Sequence, residues 1–127
     1  MTDPISDMLT RLRNANLALV PEVEVAHSRM KESIANILKK EGYIADCAVE
    51  GKARKLKLKL KYQGRKGVIV GLKRVSKPGL RRYVRATEIP RVLGGMGVAI
   101  LSTPRGVLSG REAKKQKVGG ELLAYIW

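Results

Sequence analysis

Between residues 55 and 62 the chain alternates lysine with apolar side chains without a break. The four lysines, Lys55, Lys57, Lys59 and Lys61, are here called the lysine ladder, and three leucines and Tyr62 occupy the other positions. A period of two places successive side chains on opposite faces of a strand. This segment is therefore predicted to be a β-strand with an apolar face packed on helices and a charged outer face.

The lysine ladder has two interpretations that the sequence leaves open. In the first, its outer face is an electrostatic platform, and Lys55 and Lys57 contact an anionic partner. In the second, the lysines lie on an edge strand and prevent it from pairing with another sheet.

A first helix is expected at the start of the chain. Asp3 is a typical N-cap, and Pro4 suits the first helical position. Four apolar residues follow at helical spacing and predict the buried stripe: Ile5, Met8, Leu9 and Leu12. Three residues are expected to mark the end of this helix: Asn14, Asn16 and Pro21.

A second helix is predicted from Ser28, its expected N-cap, to Gly42. Its expected inner stripe is formed by Met30, Ile34, Ile37 and Leu38. Val23 and Val25 suggest a short strand before it. Strands are also predicted at Tyr43–Val49 and Val68–Val75, on either side of the lysine strand along the chain, which would complete a three-stranded sheet under the helices.

The second half has short elements separated by many glycines and prolines. The predicted elements are a turn at residues 77–79, a strand at 82–85, a helix capped by Thr87 and ended by Gly94 and Gly95, a strand at 97–101 covered on both faces, a short basic helix opened by a capping box at 109–112, and a closing strand at 121–127. The expected fold class is α+β, with an N-terminal subdomain at 1–65 and a basic, β-rich subdomain at 66–127. Since about 60 residues fold alone only marginally, we expect the two to pack tightly together.

Charge is strongly uneven along the chain. The net charge is +15, yet residues 1–50 carry six Lys and Arg against eight Asp and Glu, whereas residues 51–127 carry twenty against three. A surface with so many like charges repels itself and suits a polyanionic partner. The second half is therefore expected to contact nucleic acid.

Several classes of function lack the residues that they need. Cys47 and His27 are the single cysteine and histidine, so a disulfide within the chain and a Cys/His metal site are excluded. The sequence has no phosphate-binding loop of the Walker type, and Gly95 and Gly97 follow a predicted helix rather than a strand. We expect no enzyme activity, no metal and no cofactor. With neither a signal peptide nor an apolar run long enough to span a bilayer, the expected location is the cytoplasm.

The segment Ser102–Gly106 is the candidate recognition loop. It contains two hydroxyl groups (Ser102 and Thr103), Pro104 and Arg105, and it follows a predicted buried strand. Hydroxyls, a guanidinium and backbone groups in a rigid loop suit contacts to bases and 2′-hydroxyls of RNA. An ordinary Ser/Thr hairpin is the alternative for this segment taken alone.

Three motifs in order resemble one known family. Residues 3–15 resemble the opening helix of the bacterial family of the eighth protein of the small ribosomal subunit, and residues 74–81 are similar to its central turn. Residues 97–108, with 111–113 and 119–121, resemble its C-terminal signature. The resemblance extends over essentially the whole chain.

This resemblance implies a primary rRNA-binding protein that binds the central domain of 16S rRNA, enters early in assembly and helps to build the platform. The implied RNA contacts are a main loop (Ser102, Thr103, Pro104, Arg105 and Gly106), assisting residues (Gly120 and Glu121), flanking residues (Tyr83 and Lys77) and secondary residues on the N-terminal helix (Thr10 and Arg13). The fifth and twelfth small-subunit proteins are the implied protein neighbours, with a free monomer and no membrane contact. The alternative is a general basic architectural binder of nucleic acid.

Two of these residues carry open questions. Pro104 replaces a serine that many family members have, which removes a hydroxyl and an N–H from the loop. Glu121 is repelled by phosphate, so its carboxylate either accepts a hydrogen bond from a base amino group or holds a nearby Arg or Lys.

Overall fold

Helices and antiparallel sheets form two compact units in the computed structural model, which describes residues 3–52 and 54–127. One unit is Pro4–Val70, and the other is Gly71–Trp127 together with Asp3. The α+β class is confirmed, with helices on a three-stranded sheet in the first unit and mostly strands in the second.

The N-terminal unit contains two helices, a three-stranded antiparallel sheet in the order β1-β3-β2, and a two-stranded hairpin. Its elements are α1 (Pro4–Leu17), β1 (Glu22–Ala26), α2 (Arg29–Lys40), β2 (Ile44–Glu50), β3 (Lys55–Leu60), β4 (Tyr62–Gln63) and β5 (Lys66–Gly67). The predicted helix α1 is confirmed and buries Met8, Leu9, Leu12 and Ala15. Helix α2 buries Ile34 and Leu38 as expected, together with Ala35 and Lys31.

The ends of the helices agree with the sequence in one case and differ in the other. The Ser28 hydroxyl caps α2 by accepting a hydrogen bond from the Lys31 N–H at 3.1 Å, and Gly42 follows its end at a φ of +84°. The prediction that Asn14 and Asn16 mark the end of α1 is wrong, because the helix continues to Leu17. The Asn16 amide instead donates to the Ile69 carbonyl at 2.7 Å, a long-range contact that local pattern cannot show.

Three lysines of the lysine ladder, Lys55, Lys57 and Lys59, lie on the central strand of the sheet, and Lys61 follows its end, so the interpretation as edge protection is wrong. Strand β3 pairs with β1 on one side and β2 on the other, and both neighbours carry acids. Lys55 Nζ lies 3.2 Å from a Glu24 carboxylate oxygen, and Lys57 Nζ lies 2.9 Å from Glu50. Opposite charges on neighbouring strands thus stabilise this outer face.

The predicted strand Val68–Val75 is also wrong as a single element. Gly67 ends the β4–β5 hairpin, and the chain is irregular until β6 (Leu72–Arg74), which belongs to the sheet of the other unit. The third strand of the N-terminal sheet is instead β1, the short Val23 and Val25 segment, because its acids and valines match the lysines and leucines of β3 in register.

The C-terminal unit is built around the last strand, β10. The remaining elements are β6 (Leu72–Arg74), β7 (Tyr83–Val84), β8 (Val98–Thr103), β9 (Gly106–Ser109), α3 (Gly110–Lys115) and β10 (Gly120–Ile126), with 3₁₀ turns at Ala86–Glu88 and Val92–Gly95. The strand order is β6-β10-β8-β9, and β7 also pairs with β10. The predicted Lys77 turn and closing strand are confirmed, and Ser109 caps α3 as expected, its hydroxyl accepting from the Glu112 N–H.

The predicted helix capped by Thr87 does not form. Thr87 lies inside the first 3₁₀ turn, whose N-cap is Arg85, and Ile89 is extended at φ −66° and ψ 120°. A residue before proline is biased away from helical conformation, so Pro90 prevents the turn from continuing into a helix. A second 3₁₀ turn follows, with Leu93 at a φ of +47°.

A bulge in β10 shifts the alternation of its side chains between the two faces of the C-terminal sheet. Leu122 pairs with Leu101 and Ala124 pairs with Ile100, which leaves one extra residue in β10. Leu101 and Leu122 lie in a buried cluster that includes Ile89, Val92, Ala99 and Ala113. Ile100 and Ala124 are buried on the opposite face, so the expectation that this strand is covered on both sides is confirmed.

Two ion pairs of different burial provide a stability test. Asp3 and Arg74 pair at 3.0 Å with side chains only 17% and 8% exposed, and Arg74 also donates to the Leu123 carbonyl. We expect Arg74→Met to lower the free energy of unfolding by about 3–5 kcal/mol, because it removes the cation of a largely buried ion pair. Urea denaturation of the two proteins measures this difference.

Arg11→Met is the matched control. The Arg11 and Asp7 side chains pair at 3.3 Å but are 57% and 64% exposed, so its loss should cost at most about 0.5 kcal/mol. Equal losses for the two variants would contradict the assigned role of burial.

Candidate nucleic-acid interface

The segment Ser102–Gly106 forms a β-hairpin tip. Thr103 ends β8 and pairs with Gly106 at the start of β9, so only Pro104 and Arg105 lie in the loop. The Thr103 hydroxyl donates to the Gly106 carbonyl at 2.7 Å and accepts from the Arg105 N–H at 3.1 Å. The expected tight loop is confirmed, and its own hydrogen bonds hold it.

This geometry assigns different chemistry to the residues of the tip. The Thr103 hydroxyl proton is engaged within the hairpin, so this side chain stabilises the loop. Pro104 occupies the first central position of the turn, where its fixed φ is favourable. Arg105 is exposed, so its guanidinium is accessible from solvent beside the rigid turn.

Strand pairing aligns three candidate residues across the sheet. Glu121 of β10 pairs with Tyr83 of β7 on one side and with Ser102 of β8 on the other. Directly opposed residues in an antiparallel sheet share a face, so these three side chains form one row, here called the Tyr83 row. Tyr83 is 71% exposed at its edge.

Gly120 is required where β8 and β10 approach each other. A Cβ at this position would lie 2.1 Å from the Ser102 carbonyl oxygen and 3.0 Å from the Thr103 Cα. No other residue leaves room for this spacing. Gly120 therefore fixes the end of β8, and with it the hairpin tip, beside the Tyr83 row.

The carboxylate of Glu121 holds an arginine, which is the structural one of its two interpretations. Its Oε2 accepts a hydrogen bond from the Ser76 hydroxyl at 2.5 Å and forms an ion pair with Arg81 Nη1 at 2.8 Å. Ser76 is fully buried and also accepts from the Arg82 N–H at 3.1 Å. This network fixes the half-exposed Arg81 guanidinium next to the Tyr83 row.

Electrostatics keeps this carboxylate ionised. Burial alone would raise the pKa of Glu121, but the hydrogen bonds from Ser76 and Arg81, with the positive charges of Arg81 and Arg74, outweigh it and lower that pKa. The same contact raises the pKa of Arg81. The pair is therefore fully charged at neutral pH.

The other candidate residues lie outside this row. Lys77 is exposed at a turn closed by two backbone hydrogen bonds with Leu80, one residue after Ser76. Thr10 and Arg13 are exposed on α1, and Lys55 and Lys57 lie on β3. These four belong to the N-terminal unit, which is a separate part of the fold.

Ser76 and Arg81 were not assigned a role from the sequence. Arg81 could have been suspected from its position in a basic turn, but a buried serine that joins a carboxylate to a backbone N–H leaves no sequence signal. Within residues 3–52 and 54–127 no three His, Cys, Asp or Glu side chains approach closely enough to hold a metal. No helix in the same ranges is long and apolar enough to cross a bilayer.

Glu121→Gln tests the network through its pH dependence. We expect it to lower the free energy of unfolding by about 1–2 kcal/mol at neutral pH, because Ser76 and Arg81 lose a charged acceptor and water partly screens Arg81. A lowered pKa means that the stabilisation is present above the unfolded pKa of about 4.3 and is lost as the pH falls through the folded pKa. The difference between the two proteins should therefore disappear in acid.

Thermal or urea unfolding across pH 3–8 measures this effect. Glu88→Gln, at an exposed position of the same unit, is the control and should differ little from the unaltered protein at any pH. A stability difference for Glu121→Gln that is the same in acid as at neutral pH would contradict the charged network.

Comparison with known proteins places the chain in one family. Residues 3–127 match the family model described as ribosomal protein S8. The chain is 61% identical over 127 residues to the small ribosomal subunit protein uS8 of Nitratidesulfovibrio vulgaris (strain Miyazaki F), covering 100% of this chain and 99% of that protein. It is 53% identical to the uS8 proteins of Mesoplasma florum and Clostridium novyi, covering at least 99% of this chain and 98% of each relative. The chain belongs to the ribosomal protein S8 family.

Proposed function

We propose that this protein is a structural component of the small ribosomal subunit that binds the central domain of 16S rRNA as a primary binder and helps to assemble the platform. Its family is one of ribosomal proteins, not of enzymes, and its relatives are named as small-subunit proteins. As a ribosomal protein of a bacterial type, it acts in the cytoplasm, where the ribosome is located.

One observation carries the proposal of a specific RNA site. The hairpin tip and the Tyr83 row lie at the same end of one sheet, since Ser102 belongs to both. This places an exposed guanidinium (Arg105), an exposed aromatic ring (Tyr83) and a second fixed guanidinium (Arg81) on a rigid framework. Each of these groups has a counterpart in folded RNA.

The chemistry of each group suggests its part in binding. The Tyr83 ring offers a surface on which an unstacked base can stack, and the Ser102 hydroxyl can donate to or accept from a base or a 2′-hydroxyl. Arg105 and Arg81 can form paired hydrogen bonds to phosphate or to a base edge. Thr103, Pro104, Gly106 and Gly120 act indirectly, because they fix the conformation of the tip.

Glu121 acts as a positioning residue in this proposal. Its charge would repel a phosphate, but its ion pair with Arg81 cancels that charge and prevents the guanidinium from moving freely. A fixed arginine loses less conformational entropy when it binds, which favours affinity.

The remaining candidates supply attraction with little sequence specificity. Lys77 extends the positive surface beside Ser76, and Thr10, Arg13, Lys55 and Lys57 give secondary contacts. Because Lys55 and Lys57 share their charge with Glu24 and Glu50, we expect a smaller electrostatic contribution from them than from Arg105. The proposed protein partners are the fifth and twelfth small-subunit proteins, and the free protein is proposed to be a monomer.

Arg105→Ala tests specific recognition at the hairpin tip. We expect the affinity for a folded central-domain fragment of 16S rRNA to fall roughly 5- to 150-fold, while the affinity for unrelated RNA falls much less. Filter binding at several salt concentrations with both RNAs measures the two effects.

Lys114→Ala is the matched control for Arg105→Ala. It removes one exposed positive charge from α3 of the same unit. It should weaken binding to both RNAs by the same factor. The slope of log affinity against log salt concentration should become smaller by about one, because one counterion fewer is released. The architectural alternative would be favoured if duplex DNA bound as tightly as the rRNA fragment and Arg105→Ala affected both equally.

Lys55→Ala tests the lysine ladder. Its ion pair with Glu24 already offsets much of its charge, so the salt dependence of RNA binding should change less than for Lys114→Ala. Both RNAs should lose affinity by the same small factor. A loss confined to the rRNA fragment would show that Lys55 contributes to specific recognition.

A further inference from the structure

A cleft of about 270 Å³ opens on the C-terminal sheet, and the RNA site proposed above does not use it. Tyr125 and Trp127 line it, together with Lys73 and the segment Pro90–Leu93. Its lining is mainly apolar, and among the described residues that form it there is no Asp or Glu. Two positive charges, Lys73 and Arg91, complete it.

The bulge in β10 places this cleft on the face opposite to the Tyr83 row. Tyr125 pairs with Ala99 and also with Lys73, and Ala99 shares its face of β8 with Leu101. Ser102, which pairs with Glu121, points to the other face. An RNA segment in contact with the Tyr83 row is therefore separated by the sheet from the cleft.

The aromatic side of the cleft is held in a fixed position. The backbones of Trp127 and Gly71 exchange two hydrogen bonds of 3.0 Å. The indole ring packs on Gly71 so closely that a Cβ there would lie 2.2 Å from its Cζ2 atom. Trp127 can therefore accept a ligand without first losing rotational freedom.

The Pro90–Leu93 part of the lining includes a residue in an uncommon backbone conformation. Leu93 has a φ of +47°, in the left-handed region that branched and bulky residues rarely adopt. Hydrogen bonds from the Met96 N–H to the Leu93 carbonyl and from the Gly97 N–H to the Val92 carbonyl maintain it. Strain of this kind persists where the surrounding structure enforces it and is frequent at ligand sites.

We propose that this cleft binds one unstacked nucleotide of single-stranded RNA, with the base against Tyr125 and Trp127 and its phosphate near Lys73 and Arg91. This inference rests on the proposed function but concerns a second site. Aromatic rings flanked by Lys and Arg are the combination that binds unpaired nucleotides, because bases stack on the rings and phosphates pair with the cations. The volume lies just below the usual range of about 300–1,000 Å³ for small-molecule sites, which suits a single base better than a helix.

Charge favours RNA over a purely apolar protein segment as the ligand. A protein side chain of apolar type would fill the cleft but leave Lys73 and Arg91 without an opposite charge. A nucleotide supplies both the flat apolar surface and the negative charge. The +15 net charge of the chain also attracts a polyanion to the protein as a whole.

Trp127 is the only tryptophan of the chain and reports directly on the cleft. The full-length protein is titrated with a short oligoadenylate, and the tryptophan emission is recorded. We expect saturable quenching by base stacking. An abasic oligomer with the same number of phosphates should bind more weakly and quench little.

Two variants with a control test the assigned residues. Arg91→Ala, at an exposed position, should lower the oligoadenylate affinity measured by quenching about tenfold. Lys114→Ala, outside the cleft, should change that affinity less than twofold. Tyr125→Leu keeps an apolar side chain but removes the ring. We expect the oligoadenylate affinity to fall roughly 5- to 150-fold, as it does where other base-stacking aromatic residues are replaced. Circular dichroism establishes that each variant is folded.

The possible contrary results are distinct. Equal quenching by the abasic oligomer, or equal effects of Arg91→Ala and Lys114→Ala, would overturn the nucleotide site. Quenching by an acidic, leucine-rich peptide but not by oligoadenylate would assign the cleft to a protein instead. If the rRNA fragment binds with its dependence on Arg105 while oligoadenylate fails, only this inference falls; if the fragment itself fails to bind, the proposed function falls.

Discussion

The pairing of β10 with three other strands is the constraint on which the C-terminal unit depends. This strand joins β6, β7 and β8 through backbone hydrogen bonds, so residues that are far apart along the chain become neighbours. At its start, Gly120 permits the close approach of Ser102, and Glu121 binds Ser76 and Arg81. At its end, Tyr125 lines a cleft. The positions of nearly all the proposed RNA contacts in this unit therefore follow from one strand and its registers.

Local sequence signals predicted the elements that local forces determine. The alternation at 55–62, the caps Ser28 and Ser109 and the turn after Ser76 each reflect hydrogen bonds or packing within a few residues. The errors concern contacts between distant segments. In the sequence, the lysine ladder is compatible with an edge strand or with a central strand. Its strand is central because β1 pairs with it as a second neighbour, with Glu22 and Glu24 opposite lysines. A lone threonine before Pro90 similarly suggested a helix that the proline prevents.

The sequence predicts only part of the candidate interface. The residues of the hairpin tip were expected from their chemistry and from the family resemblance, and their tight turn follows from sequence. That Tyr83, Glu121 and Ser102 form one row depends on the strand order, which spacing along the chain does not reveal. The structural role of Glu121 follows from its contacts with Arg81 and with Ser76, a residue whose burial and hydrogen bonds have no signature in one sequence.

The extra residue in β10 has a consequence for how this unit tolerates change. Since side chains alternate along a strand, one additional position exchanges inside and outside for everything that follows it. Shortening β10 by one residue would turn Tyr125 away from Val92 and Lys73 and bring an aliphatic neighbour in its place. No side-chain replacement restores that exchange, so the length of this strand between Glu121 and Tyr125 is a stricter requirement than the identity of any residue within it.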